Sequence, residues 1–168
     1  MNNMDEVRLE KVTVNLSFAG RQERQNAAIT VLQSLTDQKP LLVRAKRTIR
    51  EFGIHKGEPM AAVTTLRGES AEEFLRRALT AVNGRIKASS YDGKSTYNFG
   101  ISEHITIPGT KYVPELGIFG MNIAITLCKP GRRVALRRDF PSSLPPKKYV
   151  TQSEAEGFMK DKFKVTFE

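Results

Sequence analysis

One cysteine, two histidines and no tryptophan stand among the 168 residues. The single thiol, Cys128, excludes an internal disulfide, and its isolation leads us to expect a reducing compartment, the cytoplasm. Cys128, His55 and His104 together fall short of the four-ligand sets that hold structural zinc, so neither metal nor cofactor is expected. No apolar run approaches the roughly 20 residues needed to cross a bilayer, and no membrane partner is expected. The opening residues MNNMDEVRLEKV lack the apolar centre of a secretory signal and carry acids where a transit peptide has few. Gly117-Ile118-Phe119-Gly120 matches neither the phosphate-loop nor the dinucleotide pattern. Acids are also short in number, 18 against 27 Lys and Arg, which leaves a net charge of +9.

What is there, then, is a surplus of cations, with a pI near 9.8. That balance is the electrostatic footprint of a nucleic-acid binder. It is concentrated in Gln38 to Gly68, where seven Lys or Arg meet two Glu. Leu41 to Ala45 and Met60 to Arg67 read as strands, and the arm between them carries Lys46, Arg47, Arg50, His55 and Lys56, with Gly53 and Gly57 as its turning points. Like charges at this density repel unless a polyanion neutralises them. Structured RNA fits that requirement.

The remainder reads as one domain, residues 1–168, of the α+β class. Val12, Val14 and Leu16 alternate with Lys11, Thr13 and Asn15 in a first strand. Arg21 to Leu35 repeats Ala28, Val31, Leu32 and Leu35 at helical spacing and predicts a covering helix. Ser70 to Glu73 has the form of a capping box ahead of a helix with Phe74, Leu75, Ala78, Leu79 and Val82 on its apolar side, stopped at Asn83-Gly84. Lys87 to Gly120 reads as a loop with irregular strands, anchored by Phe99, Ile101, Ile105, Ile107, Tyr112 and Phe119. Met121 to Cys128 alternates again. A basic, proline-rich extension, 129–148, has seven Lys or Arg and four of the eight prolines, and is expected to be extended and to face solvent or ligand. A second capping box, Thr151 to Glu154, opens a terminal helix over 151–164.

Alternation in several strands with helices between them predicts an antiparallel sheet covered by helices on one face only. The bare face is then assigned Lys11, Thr13, Asn15, Gln38, Arg44, Thr65, Arg67, Asn122 and Thr126, with Leu41 and Val43 opposite. It holds donors and cations and no carboxylate, which suits phosphates, sugar hydroxyls and base edges. An enzyme would have to lean on Glu103-His104 or on Cys128. Neighbours on a strand point apart and nothing orients the histidine, so the pair reads as structural and the thiol as a buried strand end. The chain is not expected to be an enzyme.

Several blocks carry a family likeness: VTVN at Val12 to Asn15, QKP at Gln38 to Pro40, RAKRTIREFGIHKGE at Arg44 to Glu58, TLRG at Thr65 to Gly68, NFGISEHITIPG at Asn98 to Gly109, and ELGIFGMNI at Glu115 to Ile123. In order and over nearly the whole chain, they resemble the large-subunit ribosomal protein five family, which binds 5S rRNA. The start close to the first strand and the basic tail resemble its archaeal and eukaryotic branch. The resemblance implies that Asn15, Gln38, Thr65 and Arg67 touch 5S rRNA from the bare face, with Lys39, Arg44 and Lys46 on phosphates. It further implies that the arm residues Thr48, Ile49, Arg50, Glu51, Phe52, Gly53, Ile54 and His55 reach the peptidyl-site tRNA. Large-subunit rRNA, the small-subunit head protein of family thirteen and a second 5S-rRNA-binding ribosomal protein complete the implied partners, with Arg85 to Tyr97 as part of the bridge surface. The implied place is the cytoplasmic ribosome, in the large subunit. The alternative is a free RNA-binding protein or RNA chaperone outside it. Two positions depart from the family pattern. Leu16 to Phe18 and Asp37 stand where glycines are usual, and Asp37 is expected to keep the turn by adopting the left-handed conformation.

Overall fold

A computed structural model describes residues 4–18, 23–111 and 113–168. Arg21, expected to open the first helix, and Tyr112, an expected anchor, lie outside the described residues. The elements are β1 (Arg8–Ser17), α1 (Glu23–Thr36), β2 (Leu41–Arg44), β3 (Pro59–Leu66), α2 (Gly68–Ala81), β4 (Arg85–Ile86), β5 (Thr96–Ile101), β6 (Met121–Cys128), α3 (Arg133–Leu136), α4 (Gln152–Phe163) and β7 (Thr166–Phe167). Five strands form one antiparallel sheet in the order β2-β3-β1-β6-β5. The short β4 and β7 pair in parallel.

The pleat divides β1 as its alternation predicts. Val12, Val14 and Leu16 are fully buried, and register sets them against Leu66, Thr64 and Ala62 on one side and Ile125 and Ile123 on the other. Helix α1 packs on β3 and α2 on β1. Their contributions are Ala28, Val31, Leu32 and Leu35 from the first, and Ala71, Phe74, Leu75, Ala78 and Leu79 from the second. Helix α4 adds Ala155 and Met159 to the same core. Tyr97 of β5 stacks on Phe167 at 5.3 Å between ring centroids, which places β7 on the helical side as well. All of this apolar burial lies on one side of the sheet.

The local stops follow from backbone chemistry. Asp37 takes φ 52 and donates its N–H to the Gln33 carbonyl at 2.8 Å, making the left-handed turn expected of it. Asn83 and Gly84 take φ 55 and 66, and the Gly84 N–H closes on the Leu79 carbonyl at 2.8 Å. The box at Thr151 is present in both directions, with Glu154 Oε2 accepting the Thr151 N–H at 2.9 Å. Thr151→Ala is expected to cost about 1 kcal/mol of stability, as loss of an N-cap does, read as a lower urea midpoint at unchanged slope.

Four expectations are corrected. Ser70 does not cap α2, because the chain turns out of β3 at Gly68, φ 62, and the helix has begun by then. Lys87 to Gly120 contains a regular six-residue strand, β5, whose Tyr97, Phe99 and Ile101 pair with Ile125, Ile123 and Met121. The 129–148 segment is not uniformly solvent-facing. It contains α3, its Lys129 is buried against Glu154 at 2.8 Å, and Arg132 and Lys148 pair with Glu10 and Asp5. Acids brought from β1, its approach and α4 let those cations dock. Finally, Leu41 and Val43 lie opposite Val63 and Ala61 on the bare side, while Leu42 lies opposite Ala62 on the core side. The run Leu-Leu-Val is apolar throughout, so its phase comes from pairing with β3 rather than from its own alternation.

Candidate nucleic-acid interface

The face away from the helices carries Lys11, Thr13, Asn15 and Ser17 from β1. Pairing aligns Thr13 with Thr65 and Ala124, Asn15 with Val63 and Asn122, and Lys11 with Thr126. Strand β5 extends the row with Thr96, Asn98 and Gly100, opposite Thr126, Ala124 and Asn122. Glu10 is the one acid in all five strands, and it sits at an irregularity between Leu9 and Lys11, where it pairs with Arg132. The face is therefore a surface of hydroxyls, amides and cations whose single neighbouring carboxylate is already neutralised. Thr126 is an exception to the assigned face, since at 7% exposure it offers little to a ligand.

At one end the face deepens into an open groove of about 350 Å³, lined by Asn15, Ser17, Gly100, Ser102, Gly120 and Asn122 among others. Asn15 Oδ1 is buried there without a hydrogen-bond partner. A buried acceptor without a partner is costly, and an incoming donor relieves that cost. Glycine keeps the groove open: a Cβ on Gly120 would come within 3.1 Å of the Ser102 carbonyl, and one on Gly100 within 3.4 Å of Asn122 Oδ1. Ser17, Asn98, Gly100 and Gly120 are parts of this surface that sequence reading missed. The alternation of β5 was the signal for two of them, masked by the Ser/Gly-rich flanks.

The predicted contacts fall into two groups. Asn15, Thr65 and Arg67 lie on the central strands or at their end, with Thr65 and Arg67 exposed. Gln38, Lys39, Arg44 and Lys46 are exposed along the edge strand β2 and its flanks. Gln38 precedes β2, and Arg44 follows a register shift, opposite Pro59, so parity within a regular strand places neither on the bare face. Two apolar side chains intervene, Leu41 at 70% exposure and Val43.

Beyond β2 the arm is a hairpin with its own bonds. Ile49 and Ile54 exchange both backbone hydrogen bonds, at 2.9 and 3.1 Å. Ala45 donates to the Glu58 carbonyl at 2.8 Å at the base, and Thr48 Oγ1 accepts the Lys56 N–H at 3.1 Å. Gly53 closes the tip at φ 64. Arg50 and His55 are exposed, as is Phe52 at 74%. The eight residues Thr48 to His55 thus form one cationic tip with apolar side chains in it.

His104 is buried and its Nδ1 accepts the Phe119 N–H at 3.3 Å, while its own backbone N–H donates to the Phe119 carbonyl at 2.9 Å. It is structural, as the strand geometry implied. Burial pushes its imidazole below the ordinary 6.5, against the opposing charge of Glu103. The unfolded chain therefore binds the proton more readily, so this part of stability is complete above about pH 6.5 and is lost as pH falls below it. His104→Asn, which keeps an acceptor for Phe119, is expected to flatten the fall in thermal midpoint between about pH 7.5 and 5.5. Cys128 is a free, half-buried thiol whose pKa burial raises, away from the nucleophilic range.

Comparison with known proteins bears on the same surface. Residues 59–158 match the model for the C-terminus of the ribosomal L5 family, and residues 2–55 match that of ribosomal protein L5. The large ribosomal subunit protein uL5 of Sulfurisphaera tokodaii is 52% identical over 167 residues, covering 99% of this chain and 94% of the relative. That of Aeropyrum pernix is 50% identical over 161 residues, 95% and 84% of the two chains. That of Methanosphaera stadtmanae is 42% identical over 168 residues, the full length of both.

Proposed function

The chain belongs to the ribosomal protein L5 family, and we propose that within the large subunit it holds 5S rRNA against the bare face of its sheet. Membership makes it a structural, non-enzymatic protein of the large ribosomal subunit, with ribosomal RNA as its partner. The specific reading rests on one observation above all. A groove with an unpartnered Asn15 Oδ1 opens in a sheet face that has no free carboxylate. Asn15 and Thr65 set register on the folded RNA from that face, and Gln38 does so from beside the edge strand. Arg67, Lys39, Arg44 and Lys46 neutralise phosphates and release counterions.

The chain then anchors 5S rRNA in the central protuberance beside large-subunit rRNA and a second 5S-rRNA-binding ribosomal protein. The arm, Thr48 to His55, projects past the edge strand to the peptidyl-site tRNA. Arg85 to Tyr97 faces the small-subunit head protein of family thirteen. What supports the arm's part is an internally bonded hairpin that presents exposed cations and Phe52 at its end. No helix among the described residues is long and apolar enough to cross a membrane.

The test is a salt titration of binding to 5S rRNA beside an unrelated RNA hairpin. Specific binding leaves a gap between the two curves that persists as salt rises. Curves that coincide at every salt reject the reading, because counterion release alone treats both RNAs alike. For the arm, Arg50→Glu is expected to leave 5S binding within about twofold and to weaken tRNA engagement at least about tenfold, the scale of one reversed phosphate contact. Equal loss of both activities rejects separate sites.

A further inference from the structure

A second cavity lies on the helical side, away from the sheet face assigned to RNA. It encloses about 270 Å³ between the C-terminal half of α1, Arg77 of α2 and the segment from His104 to Leu116. Leu35, Val113 and Leu116 give it an apolar wall. Its polar lining is rich in hydrogen-bond donors. The Arg77 guanidinium spends one nitrogen on the Leu35 carbonyl, at 3.3 Å, while its Nε is buried with no partner. Thr110 Oγ1 is likewise buried and unpartnered. His104 accepts the Phe119 N–H at Nδ1, so the proton of its neutral ring sits on Nε2, a further donor in the lining. Lys111 stands exposed among the lining residues, and no described carboxylate pairs with it or with Arg77.

Among the described residues, no acid lines this cavity. Donors and positive charge gathered there call for an acceptor that carries negative charge, and an apolar wall beside them calls for a ligand with a hydrocarbon part. A guanidinium with a free edge suits the flat carboxylate or the phosphate oxygens. We propose that the cavity binds a small amphipathic anion, its carboxylate or phosphate monoester head on Arg77 Nε and Thr110 Oγ1 and its short apolar body against Leu35, Val113 and Leu116. The volume limits the body to a few carbons. The site is independent of RNA binding, because the residues assigned to RNA lie on the other side of the sheet or on its edge and arm.

The full chain, uniformly labelled with nitrogen-15, is titrated separately with hexanoate, butyl phosphate, hexanol and inorganic phosphate while its amide spectrum is followed. One of the two amphipathic anions is expected to saturate, with the largest shifts at His104, Thr110 and Lys111. Which of them saturates identifies the head group. Hexanol and inorganic phosphate should bind at least about tenfold more weakly, since each lacks half of the recognition. Thr110→Val removes one hydroxyl and leaves the Leu35 contact in place, and should weaken binding roughly three- to tenfold. Arg77→Met should abolish it. Shifts that stay linear for both amphipathic anions, or that spread over the cations of the arm and open face, overturn the proposal, as does saturable binding indifferent to Thr110→Val.

Discussion

Replacing Arg67 with alanine is expected to weaken binding to 5S rRNA by about 1 to 3 kcal/mol, roughly 5- to 150-fold, and to leave the fold intact. Both halves follow from where the residue stands. Arg67 sits just after β3, exposed, and its one hydrogen bond is a long 3.4 Å contact to the Glu10 carbonyl. Its backbone, φ −141, is extended in a way any residue adopts, so α2 still begins after it. Little of the native structure depends on the guanidinium. A phosphate or base edge above the bare face would lose a charge-assisted partner, and the slope of log affinity on log salt should shrink by about one. Anisotropy titrations at two salt concentrations, with circular dichroism on the same sample, check both. Unchanged affinity rejects the assignment of this face.

The pattern of polar and apolar residues made that face legible before any coordinates. In β1 and β6 every second residue is apolar, the pleat converts that alternation into two faces, and the helices have their own stripes to bury against only one. Glu10 is the sole acid in the sheet, so the bare face could be read as free of carboxylates. Where the reading failed, a physical competitor had removed the signal. In Leu41-Leu42-Val43 nothing alternates, and register with β3 sets the phase. In β5, Gly100 and the surrounding serines and glycines look like loop until Ile123 and Ile125 of β6 supply the partners. Lys129 and Arg132 look like solvent-facing charge because their acids, Glu154 and Glu10, are distant in sequence. Asn15 was found from its parity and from a family motif. Its unpartnered oxygen, and the groove that Gly100 and Gly120 keep open around it, exist only once β1, β6 and the turn after β5 are assembled.

The complementary substitution lies on the other face of the same strands. Ile125 is fully buried in β6, opposite Val12 of β1 and Tyr97 of β5, at the centre of the sheet. Ile125→Ala removes three carbons from a packed interior and leaves a space that two neighbouring strands can only partly close. The expected loss is about 2 to 5 kcal/mol, which is a large share of a small domain's stability. It should appear as a lower urea midpoint with an unchanged slope, since the surface exposed on unfolding is nearly the same. Its neighbours Ala124 and Thr126 pair across to Thr13 and Lys11 and point the opposite way. Per folded molecule, then, RNA affinity should stay within about twofold, for Ile125 offers no atom to that side. Arg67→Ala and Ile125→Ala thus predict opposite outcomes in the two measurements, binding lost with stability kept, and stability lost with binding kept. A variant at Ile125 that loses affinity at temperatures where it remains fully folded would mean that the groove takes its shape from packing beneath it, and that the two faces are not separable.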